Sequence, residues 1–116
     1  MQIVQPEQIL SVLRAAIEKV ESPCSRSKLL SGLITPVRQR RTFLTASGDA
    51  PGDLWLFFII PSRRTVGLAY SDEGYGSAGM RWGIVFVESN FYGDFDAWYE
   101  SLESLLVDNL SYFESD

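Results

Sequence analysis

The chain has no histidine and a single cysteine, Cys24. Without imidazole, serine–histidine–acid and cysteine–histidine catalysis lose their base, and zinc-protease helices and most zinc or non-haem iron sites lose a ligand. One cysteine excludes an internal disulfide framework, which fits a reducing compartment. Flanked by Pro23, Ser25 and Arg26 but with no base within sequence reach, Cys24 reads as a small, partly buried residue rather than a nucleophile. Long apolar runs are also missing, and no basic segment with an apolar core follows Met1. Neither a membrane span nor a signal peptide is expected, and the cytoplasm is the expected compartment.

Bases are scarce where acids are common. The net charge of −5 disfavours general nucleic-acid binding, which draws its affinity from excess lysine and arginine. Its distribution says more than its sum. Residues 22–64 hold seven bases against two acids, whereas residues 82–116 hold eight acids and no base. One half of the chain is therefore an electrostatic match for the other.

What is present is a composition that can fold: 46% hydrophobic and 22% charged over 116 residues, enough for one domain spanning residues 1–116. Its organising stretch is residues 54–60, seven successive apolar positions between Ala50-Pro51-Gly52 and Pro61-Ser62. Short, aromatic and β-branched, they read as a strand buried on both faces. Strands are also expected at about 42–46, 65–70 and 82–88, with residues 47–53 as a turn cluster and 71–81 as a long loop. In the third strand Gly67 and Ala69 form a small face, suited to close approach of something bulky such as the first helix.

That first helix, about 6–21, follows from Pro6 and the one-sided spacing of Ile9, Leu13, Ile17 and Val20. A short second helix is expected over 24–33, ending at Gly32. The last helix, about 95–110, is expected to be capped by Asp94 or Asp96 and to bury Phe95, Trp98, Leu102 and Leu105. The predicted fold is an α+β domain: a mostly antiparallel four-stranded sheet packed by an N-terminal and a C-terminal helix.

No motif carries a recognisable chemistry. Gly74-x-Gly76-x-x-Gly79 matches the dinucleotide fingerprint in letters, but it leads into a strand instead of opening a helix onto a pyrophosphate. Carboxylate pairs, Asp72-Glu73 and Asp94-x-Asp96, survive the lack of histidine but have no calcium-loop spacing. No cofactor, metal or catalytic residue is assigned.

The residues left as binding candidates fall into three groups. Asp96, Glu100 and Glu103 form an acidic helix face with no lysine to relieve it, suited to a basic protein partner. Asp72, Glu73, Tyr75 and Arg81 equip the 71–81 loop, with Tyr92 as a further exposed aromatic. Arg38, Arg40, Arg63 and Arg64 form a basic rim near Asp94 and Asp96 if the strands make a meander. The expectation is a non-catalytic protein that binds a macromolecule, immunity- or antitoxin-like in size and acidity. Its alternatives are a small-ligand or carboxylate-based enzyme domain using the 71–81 loop, and a homodimer meeting through Tyr75, Phe91 or Tyr92.

Overall fold

A proline at the first helical position sacrifices no hydrogen bond, and α1 (Pro6–Glu18) begins there. The computed structural model describes residues 6–45, 48–61, 63–75, 80–93 and 97–109. Helix α1 buries Ile9, Leu13, Ile17 and, just past its end, Val20. It closes at Glu18 rather than 21, because Lys19 and Val20 donate to Ala16 O and Ile17 O in tight turns of 3.2 and 3.0 Å. Helix α2 (Pro23–Gly32) follows at once: the Ser22 Oγ accepts from Ser25 N at 3.2 Å, and Pro23 occupies its first turn.

Among the described residues, five strands form one antiparallel sheet in the order β1 (Leu33–Thr45), β2 (Gly48–Ile59), β3 (Val66–Tyr75), β4 (Met80–Phe86) and β5 (Trp98–Tyr99). The fold is α+β as expected, with one strand more than the four anticipated. Strand β2 lies inside the sheet between β1 and β3, and its second half is buried: Leu54, Trp55, Leu56, Phe57 and Phe58 are 0–4% exposed. A bulge between Leu56 and Phe58 in the pairing with β3 lets Phe57 and Phe58 enter the same core cluster, so the inward parity changes there from odd to even residues.

Strands β1 and β2 are much longer than expected. Residues 48–53, read as part of a turn, continue the ladder from Arg38 opposite Trp55 to Thr45 opposite Gly48. Pro51 is tolerated inside it for a geometric reason. Its rung partner Thr42 turns both backbone groups outward, accepting from Tyr92 N at 2.9 Å and donating to Asn90 O at 2.8 Å. That rung needs no N–H from residue 51. The 71–81 loop contracts likewise, since β3 runs to Tyr75 and pairs with Met80. The glycine run thus joins strand to strand.

One face of the sheet carries the helices. Trp55, Phe57, Phe58, Leu68 and Trp82 pack there with α1, with Leu29 of α2 and with Leu102, Leu105 and Leu106 of α3 (Leu102–Asp108). The other face holds Leu54, Leu56, Ala69 and Val85, roofed by Tyr92 and Trp98. Gly67 and Ala69 belong to this second face rather than to the helical one. A Cβ on Gly67 would stand 2.7 Å from Phe58 O and 2.8 Å from Leu56 Cδ1, so the bulged β2, not α1, is what approaches closely.

The roof exists because the chain leaves β4, reaches the outer edge of β1 and comes back. Thr42 and Phe91 form a parallel bridge, and Trp98 then pairs with Gly83 on the far side of the sheet. Tyr92 and Trp98 stack with ring centroids 5.0 Å apart, and Trp98 Nε1 donates to Tyr92 O at 2.9 Å. The Tyr92 hydroxyl donates to Asp53 O at 2.9 Å beside the buried Ser71. Tyr92 is 1% exposed, so its assignment to a partner surface or a dimer contact is corrected: it is a core residue.

Arg41 fastens this return. Although 3% exposed, its guanidinium donates to the carbonyls of Phe86 (2.9 Å), Val87 (3.1 Å) and Phe91 (3.1 Å) and to Gln39 Oε1. Burial pushes its pKa down, and Tyr92 acts in the other direction.

Candidate functional site

The helical layer leaves an opening where α1 passes the start of β4 and the turn into α3. A groove of ≈ 580 Å³ lies there. Val12, Ala16, Trp82 and Leu102 give it apolar walls, and Lys19, Arg81, Glu100 and Glu103 give it charges of both signs. Its volume falls in the range of ligand-binding clefts.

Each wall has a local cause. Trp82 faces inward by strand alternation from Ile84, and Tyr99 pairs with it across β4 and β5, which carries Glu100 to the opening. Ser101 then caps α3 in an extended conformation (φ −141°, ψ 155°), its Oγ accepting from Ser104 N at 3.1 Å. Glu103 falls in the first turn of α3, where the helix dipole favours an acid, and its Oε1 accepts from Glu21 N at 3.4 Å. The corner between α1 and α2 is thereby tied to α3.

This arrangement corrects the expected last helix. Residues 98–99 are strand and the helix starts at Leu102, so Glu100 and Glu103 do not lie on one helical face; they meet at the groove because a strand delivers one and a helix the other. Ser101-x-x-Ser104 was the available signal, a cap inside what reads as a continuous apolar stripe. Asp94 and Asp96, expected as caps, lie outside the described residues, as does the predicted end of the helix at 110.

Tyr70 forms the inner wall. It stands opposite Trp82 in the β3–β4 register, with ring centroids 4.7 Å apart at 60°. Its hydroxyl pKa is raised, first by burial, then by the charge of Asp72 and by the hydrogen bond to it, while Arg81 pulls the other way. An acid whose pKa is higher folded than unfolded binds its proton more tightly in the native state. This contribution to stability is complete below the ordinary tyrosine range near pH ~10 and is lost as pH rises through the native value. Tyrosinate absorbance should therefore show Tyr70 ionising late. Asp72→Asn should bring that step partway down and Arg81→Gln should move it further up; movement in the same direction for both would contradict the arrangement.

The remaining candidates are scattered. Arg38 and Arg40 sit in β1 over Asp53, whose carboxylate accepts from Arg38 Nη2 at 2.7 Å and lies 3.6 Å from Arg40 Nη1. Arg63 and Arg64 occupy the exposed β2–β3 turn, several rungs away, so the four arginines do not form one rim. Arg64 instead borders a smaller depression of ≈ 410 Å³ with Thr65, Phe86, Val87 and Glu88. Glu73 and Tyr75 lie in β3, but their side chains are outside the described residues. Cys24 is exposed, contrary to the partly buried position expected. Phe91, the other dimer candidate, is 55% exposed. Lys19 and Tyr70 were not singled out from sequence; only the tertiary placement of the end of α1 near Tyr70 and Trp82 brings them to the groove.

Among the described residues no helix is long and apolar enough to cross a membrane. No family model matches the chain, and no curated protein or solved structure matches it either.

Proposed function

We propose that this protein works by binding a basic protein partner at the groove between α1, β4 and α3, as an immunity- or antitoxin-like inhibitor does. The observation that carries this reading is the convergence of Glu100 and Glu103 beside the apolar side chains of Trp82 and Leu102. An apolar centre excludes water from a docked side chain; Glu100 and Glu103 orient a cationic one, while Lys19 and Arg81 in the same lining balance their charge, so long-range steering falls to the rest of the chain. The net charge of −5 and the excess of acids over bases in residues 82–116 add a long-range attraction for a cationic partner.

Reversal of both acids, Glu100→Lys with Glu103→Lys, should weaken capture of the native partner by at least about tenfold, an effect of the size expected for interfacial charges. Reversal of Glu7 and Glu18, which are exposed on α1, should leave it unchanged. Equal capture by the two double variants would remove the groove from consideration.

A small-ligand reading rests on Tyr70 and Arg81, which both line the groove, with Asp72 hydrogen-bonded to the Tyr70 hydroxyl. Under that reading Trp82 fluorescence would respond to a low-molecular-weight fraction of the host extract, and Arg81→Gln would abolish the response.

A further inference from the structure

We infer that the outer edge of β1 is a second binding surface, one that takes an acidic extended peptide as an added strand. The inference is independent of the groove. It begins with backbone geometry.

Thr42 directs its N–H and C=O away from β2, to Asn90 and Tyr92. From Val37 to Thr45 the register with β2 is unbroken, so the alternation of an antiparallel strand directs the N–H and C=O of Arg38 and Arg40 to the same outer side. Strand β1 ends the sheet, and among the described residues its only partner on that side is the single bridge at Thr42. Four main-chain groups between residues 37 and 41 are left as a template for strand addition. Val37 is 47% exposed at the start of this stretch.

Charge selects the occupant. The side chains of Arg38 and Arg40 lie on one face, 40% and 69% exposed, and share the single carboxylate of Asp53. One positive charge remains in excess along the edge. A second copy pairing antiparallel through β1 would oppose these arginines to one another and gather four guanidinium groups around two carboxylates, so self-pairing is disfavoured. A strand with acids at alternate positions would place them beside Arg38 and Arg40 while its backbone satisfied theirs.

The test uses the full chain, labelled with nitrogen-15, and an acetylated, amidated pentapeptide of alternating glutamate and valine. The peptide should bind saturably and slow hydrogen exchange at the amides of Arg38 and Arg40. Lysine in place of glutamate, or a central proline, should weaken binding by at least about tenfold, as should Arg38→Gln with Arg40→Gln. No saturable binding, equal binding of the proline peptide, or protection confined to the groove residues would each overturn the inference. Dimerisation through this edge, detected as a concentration-dependent mass lost in the Arg38→Gln, Arg40→Gln variant, would overturn it as well.

Discussion

Arg41→Met is expected to destabilise the protein by about 3–5 kcal/mol, a large share of the stability of a domain this size. The side chain is nearly inaccessible and its partners are neutral: three main-chain carbonyls and the Gln39 amide oxygen. Methionine fills a similar volume and removes the penalty of burying a charge. It also leaves the carbonyls of Phe86, Val87 and Phe91 without this donor, at roughly 1–3 kcal/mol for each that water cannot reach. The loss of donors outweighs the relief of desolvation because the guanidinium satisfies all of them from one planar group. Arg41→Lys should recover only part of the loss, since one ammonium cannot span the same acceptors. Arg40→Met, one residue away and largely exposed, should change stability by no more than about 0.5 kcal/mol. Urea unfolding measures all three; an Arg41→Met variant within about 1 kcal/mol of the parent would show that the return segment is held by something else.

Gly83→Ala is the second large effect, about 3 kcal/mol, and its cause is steric. Gly83 pairs with Trp98, and a Cβ there would clash with the indole ring at Cε2 and Cδ2. The ring cannot slide away cheaply. It is stacked on Tyr92 and anchored through Nε1 to Tyr92 O, and it covers Leu54, Leu56 and Val85. Displacing it would open the second core and move Glu100 away from the groove. Trp98→Leu alone should also cost several kcal/mol through lost packing and the lost hydrogen bond. Combined with Gly83→Ala it should cost clearly less than the sum, because the smaller side chain makes room for the methyl group. Strict additivity would mean that the two residues do not meet.

The parts of the fold that were legible share one property: a periodic pattern long enough to need no partner. The 54–60 run and the Ile9, Leu13, Ile17 and Val20 spacing are of that kind. Pattern failed where tertiary contacts override local preference. Pro51 and its glycine neighbour read as a turn, yet they sit in β2 because Thr42 is bonded elsewhere. Trp98 and Tyr99 fit the apolar stripe of a helix, yet pairing with β4 and the tie to Tyr92 make them strand. Phe91 and Tyr92 are indistinguishable by composition; the Thr42 bridge buries one and exposes the other.

The candidate site was legible in its residues and not in its construction. Arg81, Glu100 and Glu103 were singled out from charge, but a loop and a helix face were invoked where a strand start, a strand end and a helix cap do the placing. Arg41 was hidden among Arg38 and Arg40, since a run of bases reads as a solvated face. In a strand, successive side chains alternate, and a cluster containing adjacent arginines must send one to the opposite side. A strand beginning only at 42 stops short of Arg41, so the alternation that buries it lies outside the pattern legible in the sequence.

The return from β4 to β5 must be an integral part of the core, because Tyr92 and Trp98 roof the second face of the sheet and Trp98 leads to Glu100 at the groove. Native-state hydrogen exchange at the Tyr92 amide, which donates to Thr42 O, tests this most directly. Exchange of that amide with the same opening free energy as Leu54 and Leu56 is the predicted result. Fast exchange at Tyr92, with the β2 amides still protected, would contradict it.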